Sequence, residues 1–462
     1  MAINISFGGT TIQRPGAFAI VDTANMVPVS LGALRSLAVI GVMDESASLA
    51  PGRAYAFTEP SEARKALTQG ELLDVMYTAW QHGANLIYVV PVNKPVAASI
   101  TLKDNDEESP ADVLKLTARA HGTKGNGITV EVANNDLIVA FDGRSESYDA
   151  TKTVEELAAL VNAGSALVTA EVVGSGTAVL GTLAETNLSG GGAGAPVTDS
   201  DWEEALEVLE QIEVDGLIPV TTAQAIQAKV DAHVQAMSNI HNRRRRRAFY
   251  GHAVGESIEN IKNLAAALNN ERALLATPCP MIADSSGNRV TKPSYYTAAA
   301  VAGIWSGQEP QEPVTYKAVK FAGLEKQYKP TEIVELLNAH VCVVEVVKNG
   351  GYRIVQGITT SSSADLTQAE LSVSTLKDIM SENLETHFEN KYVGKAGVRG
   401  VEITMYNDLV SMLEQFVSSG LIAGYVADSV KVTRNGTTFN LEWQGTPTLP
   451  INNFLITTSL TL

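Results

Sequence analysis

The stretch GTKGNG, Gly122 to Gly127, has the glycine density of a loop that wraps phosphate with backbone N–H groups. Such a loop also needs a lysine–hydroxyl pair after its last glycine and a helix N-terminus to receive the charge. Here the alternating ITVEV follows, which marks a strand, so the stretch reads as a turn. LSGGGAG, from Leu188, fails in the same way, because its next helix begins several residues later, after a proline. VGSGTAV lacks the strand–turn–helix setting of a nucleophile elbow. The histidines, at 82, 121, 233, 241, 252, 340 and 387, form neither an i, i+4 ligand pair nor an HExxH motif. Paired carboxylates such as Glu155–Glu156 and Glu203–Glu204 sit on amphipathic helices, where solvation is the default. Cys279 and Cys342 are far apart and read as small buried hydrophobes in a reducing compartment. The expectation is a chain with no catalytic, cofactor-binding or metal-binding residues, hence no cofactor.

The run Arg243, Arg244, Arg245, Arg246, Arg247 is the one dense block of charge, and such blocks usually mark polyanion sites. The rest of the chain argues otherwise. It carries 51 Asp+Glu against 34 Lys+Arg, a formal net charge of −17, and that average field repels phosphate and anionic membrane. Three readings compete: pairing with the surplus carboxylates across a subunit or domain boundary, a solvated helix end, and polyanion binding. Pairing is favoured, since the planar guanidinium fork meets carboxylates bidentately. The run ends a helix whose C-terminal carbonyls favour cations and leads into a strand, so alternate arginines should point to opposite sides.

The elements that must position these residues are α/β in character. RSLAVIGV, NLIYVVPV, GLIPVTT and RAFYGH read as buried strands separated by helices, which suggests a parallel or mixed sheet covered on both faces. SDWEEALEVLEQIEVDG opens with a capping box, Ser200 with Glu203. Residues from about 93 to 187 are instead rich in Thr, Val and Gly and read as a β-rich insertion, left through the flexible joint LSGGGAGAPVTD. The last hundred or so residues hold two amphipathic helices, with a Leu376, Met380, Leu384, Phe388 stripe on the first. An Asn435–Gly436 hairpin follows. Both ends alternate like strands: Ile3, Ile5 and Phe7 share one face, as do Phe454, Ile456, Thr458, Leu460 and Leu462. Terminal strands need partners, so two such ends suggest a subunit of an assembly. The opening MAINISFGGTT has neither a basic n-region nor an apolar h-region, and no apolar run reaches the roughly 18 residues of a membrane span. Synthesis and retention in the cytosol is the corresponding expectation.

Several motifs, in this order, resemble the tail sheath proteins of contractile bacteriophages and related injection machines. RPGAFAIVD carries a Pro-Gly-aromatic opening (Pro15, Gly16, Phe18), and HGTKGNGITVEV carries a Gly-Asn turn (Gly125, Asn126) at the start of an inserted domain. NLSGGGAGAPVTDSDWEEALEVLEQIEVDGLIPV, YYTAAAVAGIWS and VRGVEITMYNDLVSMLEQFVSSGLIAGY complete the series. YRIVQGITT departs from the pattern, with Gln356 and Ile358 where many sheaths have an aromatic and an arginine.

The resemblance implies an α/β and α+β multidomain fold. An N-terminal arm and core strand would span 1–25, an α/β middle domain 26–94 with 195–345, and an inserted β-rich domain 95–194. A C-terminal α+β core over 346–448, completed by the N-terminal segment, would be followed by a strand arm over 449–462. It implies a structural subunit, not an enzyme, forming hexameric rings that stack helically around a tail tube and shorten to drive the tube through the host envelope. Its partners would be other copies, the tail tube protein, and the baseplate and tail terminator proteins, with no direct nucleic acid and no membrane insertion. Its place would be the virion tail, after assembly in the host bacterial cytoplasm. Two rivals remain: another virion structural protein, or a Rossmann-like enzyme supported by the α/β alternation alone.

Overall fold

The computed structural model describes residues 5–7, 10–12, 35–283, 287–348 and 350–452, with Leu455 and Thr458. Its centre is a nine-stranded sheet. From one edge to the other the strands are Ala318–Val319, Tyr352–Ile354, Cys342–Val346, Ala273–Thr277, Arg247–Tyr250, Gly216–Pro219, Leu37–Gly41, Ile87–Pro91 and Tyr55–Phe57. The six from Cys342–Val346 to Ile87–Pro91 run parallel, and numbered along the chain their spatial order is 2-1-3-4-5-6. The three outer strands are antiparallel additions.

Consecutive apolar residues make these strands central, because each face must meet a helical layer. In Leu37–Gly41, Leu37 and Val39 enter one core while Ala38 and Ile40 enter the other. Helices Pro60–Leu67, Glu71–Gln81 and Tyr295–Gly307 cover the first face. Asp199–Glu210, Gln224–Met237, Ile258–Leu268 and Pro330–Asn338 cover the second. The capping box of Asp199–Glu210 is Thr198 with Asp201, two residues earlier than Ser200 with Glu203. The Asp201 carboxylate accepts from Thr198 N at 2.7 Å. Its apolar face is the expected one: Trp202, Ala205, Leu206 and Leu209 are buried.

The β-rich insertion has its own core, between a four-stranded and a three-stranded antiparallel sheet and the helix Val154–Gly164. Its glycine-rich exit is a packed seam, not a flexible joint. Val96 and Ser99 pair with Gly192 and Ser189, and Asn126 both donates to Gly191 O (3.0 Å) and accepts from Gly191 N (2.9 Å). A Cβ on Gly194 would lie 2.1 Å from Lys94 O, and one on Gly191 would lie 2.4 Å from Gly122 O. These glycines serve close backbone approach, which composition alone does not separate from chain freedom.

The C-terminal module is smaller. Helices Leu371–Tyr392 and Val401–Ser418 pack with two separate two-stranded pairs, Ile422–Tyr425 with Gly445–Pro447 and Lys431–Asn435 with Thr438–Glu442. The hairpin turn is Gly436–Thr437, one residue later than expected, with Gly436 at φ 62°. Of the stripe on the first helix only Leu376 is fully buried; Met380, Leu384 and Phe388 are half-covered.

Candidate functional site

The arginine run lies where the α/β domain meets the long helix Leu371–Tyr392. Helix Gln224–Met237 has already ended when it begins. Asn239 Oδ1 then accepts from His241 N and Asn242 N, and Arg243, at φ 54°, reverses the chain toward strand Arg247–Tyr250. From there the backbone extends and the side chains alternate, as a period of two requires.

The odd-numbered arginines face the long helix. Arg243 Nη2 lies 2.9 Å from Glu389 Oε1, and Arg245 grips Glu385 with a fork of 2.8 and 2.5 Å. Arg247 Nη2 donates to Asp378 Oδ2 at 2.6 Å and its Nη1 to Ser374 Oγ at 3.0 Å. Asp378, Glu385 and Glu389 are spaced by seven and four residues, which keeps them on one helical face. Strand and helix thus run past each other as a ladder of charge pairs.

Asp378 is the tightest rung. Arg272 meets it bidentately, Nη1 to Oδ2 at 2.7 Å and Nη2 to Oδ1 at 2.6 Å, while Arg245 Nε stands 3.9 Å from Oδ1. Burial works to raise this carboxyl, but Arg247 and then Arg272 outweigh it and hold it below the ordinary aspartate range. The Arg247 guanidinium, 3% exposed, is lowered by burial despite Asp378. Lys377 adds a neighbouring pair with Glu271 at 2.6 Å.

The even-numbered arginines face the other way, toward the C-terminus of helix Asp199–Glu210. Arg246, 1% exposed, donates to Leu209 O at 3.1 Å, to Ile212 O at 3.3 Å and toward His233 Nε2 at 3.0 Å. Arg244 donates to Glu210 O and pairs with Glu213 at 3.1 Å. Unpaired carbonyls end a helix with partial negative charge, so two cations there are stabilising. Burial lowers Arg246 to about 10. His233 is lowered to about 4, by burial first and Arg246 second, so its neutral ring can accept. The arginines therefore cap a neighbouring helix, not the one they follow in sequence. Arg272, Glu271 and Lys377 belong to the same cluster, and no sequence motif marked them.

The place where a doubly wound sheet binds ligands is filled. That place is the crevice at the C-terminal strand ends where the order reverses, here between Leu37–Gly41 and Gly216–Pro219. A Cβ on Gly41 would lie 2.9 Å from Val220 Cβ. Asn93 clamps the following loop through Met43 N (2.9 Å) and Met43 O (3.0 Å). Glu45 O accepts from Thr123 N at 2.7 Å and from Thr123 Oγ1 at 3.1 Å. The GTKGNG stretch is thus a short 3-10 turn that ties the insertion to the α/β domain across this opening. Among the described residues, no group of three or more His, Cys, Asp and Glu side chains could hold a metal ion. Nor is any helix among them long and apolar enough to cross a membrane.

The terminal positions divide. Ile3, Phe454, Ile456, Leu460 and Leu462 lie outside the described residues. Ile5–Phe7 is a strand, paired antiparallel with Thr10–Ile12 of the same chain. Thr458 is exposed and outside any strand of this single chain, as is Leu455 at 99% exposure. Leu449 and Ile451, which lead to them, are also exposed.

Comparison with known proteins agrees with the resemblance read from the sequence. Residues 195–360 match the family model described as the phage tail sheath protein central domain. The tail sheath protein of Bacillus phage SP01 is 26% identical over a 573-residue alignment covering 99% of this chain and 97% of that protein. That of Staphylococcus phage Twort is 28% identical over 240 residues, 51% of this chain and 39% of that one. Among solved structures, a sheath tail protein from Desulfitobacterium hafniense superposes with a TM-score of 0.67 at 16% identity, covering 94% of this chain and 97% of that one. The contracted helical sheath of the anti-feeding prophage gives 0.56 at 10% identity, covering 97% and 99%. The mixed α/β multidomain architecture is shared with these structures.

Proposed function

We propose that this relative of the phage tail sheath proteins is the structural subunit of a contractile tail sheath. Whole-length similarity to a tail sheath protein, spanning 99% of this chain and 97% of the relative, carries the reading. Subunits assemble as hexameric rings stacked helically around a tail tube, bounded by baseplate and terminator proteins, within the virion tail. Assembly takes place in the host cytoplasm. The extended lattice is metastable; rotation and sliding of subunits into a compact state drives the tube through the host envelope. New intersubunit contacts supply the energy, so no catalytic residue and no nucleotide is required.

The terminal arms connect the lattice by adding strands to sheets of neighbouring copies. Two observations support this reading. The C-terminal module offers two-stranded pairs and a half-covered Met380, Leu384, Phe388 stripe, a surface short of strands. The chain end offers Leu449, Ile451 and Leu455, apolar and exposed. Each main-chain hydrogen bond contributes only about 0.5–1.5 kcal/mol net, but repetition along a helix makes the sum multivalent.

Electron microscopy of the purified chain tests the proposal. Striated hollow cylinders wider than a tail tube are expected. A truncation lacking residues from Phe454 onward should stay folded and form none. Normal cylinders from that truncation would refute the arm mechanism, and a full chain that stays dispersed under every assembly condition would count against the sheath role.

A further inference from the structure

The sequence holds three Asn-Gly pairs, Asn126–Gly127, Asn349–Gly350 and Asn435–Gly436. Such a pair can react with itself, because glycine has no Cβ to shield its amide nitrogen from the asparagine side chain before it. The fold treats two of these pairs oppositely; Asn349 lies outside the described residues. Asn126 is held at three points. Its Nδ2 donates to Gly191 O at 3.0 Å, its Oδ1 accepts from Gly191 N at 2.9 Å, and its own carbonyl accepts from Asn187 Nδ2 at 3.0 Å. Gly127 closes the 3-10 turn Thr123–Gly127, and a Cβ on it would stand 3.0 Å from Phe141 Cε2.

Asn435 and Gly436 are both exposed. Asn435 ends strand Lys431–Asn435 and pairs with Thr438, so Gly436 is the first residue of a two-residue loop. In that register the closing hydrogen bonds belong to Asn435 and Thr438, which leaves the Gly436 N–H outside the ladder. Gly436 sits at φ 62° with open space where a Cβ would be. Unlike Asn126, the Asn435 side chain meets no clamp among the described residues. The neighbouring Arg434 fastens this turn to the rest of the module. Its Nε donates to Gly436 O at 3.0 Å and its Nη1 to Gly397 O at 3.1 Å, between the two long helices.

We propose that Asn435–Gly436 is a self-deamidation site, selected by the fold over Asn126–Gly127. Gly436 N, having lost its proton to solvent base, attacks Asn435 Cγ. The N–Cγ bond forms, the Cγ–Nδ2 bond breaks, and Nδ2 takes up a proton and leaves as ammonia. Water then opens the five-membered imide at either carbonyl. One opening gives aspartate and the other isoaspartate, with no oxidant, reductant or enzyme required. Either product adds a negative charge beside Arg434, and isoaspartate also lengthens the backbone by one atom ahead of Gly436. The change therefore falls where the hairpin is fastened to Gly397. The reaction belongs to the single chain and does not rest on the sheath reading.

Peptide mapping by mass spectrometry of the full chain, aged folded at mildly alkaline pH, reads the site. The peptide holding Asn435 should gain one mass unit and split into aspartate and isoaspartate forms. The gain should be faster at higher pH, because the attacking nitrogen must lose its proton. The peptide holding Asn126 should react at least about tenfold more slowly, since that site must first open locally. In urea the two rates should converge, and Asn435→Gln should stop the reaction at its peptide. An Asn435 that stays intact in the folded chain would overturn the proposal, as would equal rates at the two sites or a product that is aspartate alone. Rates still about tenfold apart in urea would place the selectivity in local sequence and overturn the role given to the fold.

Discussion

Removing the Asp378 carboxylate tests how the C-terminal module is joined to the α/β domain. In Asp378→Ala, Arg247 and Arg272 stay in place, 3% and 11% exposed, with no carboxylate between them. Three hydrogen bonds of 2.6–2.7 Å are lost together with the charge they served. Breaking a buried pair by deleting one partner costs about 3–5 kcal/mol, most of it the uncompensated charge left behind. Glu389→Ala removes the solvent-facing Arg243 partner and should cost far less. Urea denaturation of both variants reads the contrast. The double variant Asp378→Ala/Arg247→Met should recover part of the loss, with a coupling of about 0.5–3 kcal/mol. The pH dependence gives a second reading. The folded carboxyl sits below its unfolded value, so its contribution is complete above about pH 4 and disappears as pH falls through the folded value. Asp378→Asn should therefore flatten the acid limb of the stability curve. A loss below about 1 kcal/mol in Asp378→Ala, or no coupling with Arg247, would refute the claim that this ladder holds the two parts together.

Arg246→Met should take the guanidinium donors away from Leu209 O and Ile212 O, leaving Leu209 O its backbone contacts alone, and cost about 1–3 kcal/mol. It should also raise the His233 titration from about 4 toward its ordinary value, stopping short because burial remains, which NMR can follow. Gly194→Ala places a Cβ 2.1 Å from Lys94 O at φ 82° and should destabilise the insertion by more than about 1–3 kcal/mol. Gly190→Ala, at the same φ with open space around it, should cost about 1 kcal/mol in the same thermal melt.

Period and composition made much of the architecture legible. Apolar runs such as Leu37–Ile40 announced strands buried on both faces, and the Thr/Val/Gly-rich middle announced a separate β-rich unit. Both are local properties of the chain. What misled was also local: LSGGGAG reads as loose, because the Lys94 and Gly122 carbonyls that press on it come from distant sequence. That Tyr352–Ile354 joins the nine-stranded sheet was not legible, since its partner Cys342–Val346 is identified only by pairing.

The arginine run shows where such reading stops and why. Alternation followed from the extended backbone, and the opposite orientations of odd and even arginines are observed. Their partners depended on two facts that topology alone supplies. Helix Leu371–Tyr392 crosses the start of strand Arg247–Tyr250, and helix Asp199–Glu210 ends beside it. Asp378, Glu385 and Glu389 already carried a helical spacing in sequence, but so does any acidic face exposed to water. A period-two set of cations and a period-3.6 set of anions become a joint only when the fold lays one across the other. That is how an acidic chain can occupy five consecutive arginines with its own carboxylates and carbonyls. Three of them clamp a helix, two cap another, and the block is spent within the subunit before any partner arrives.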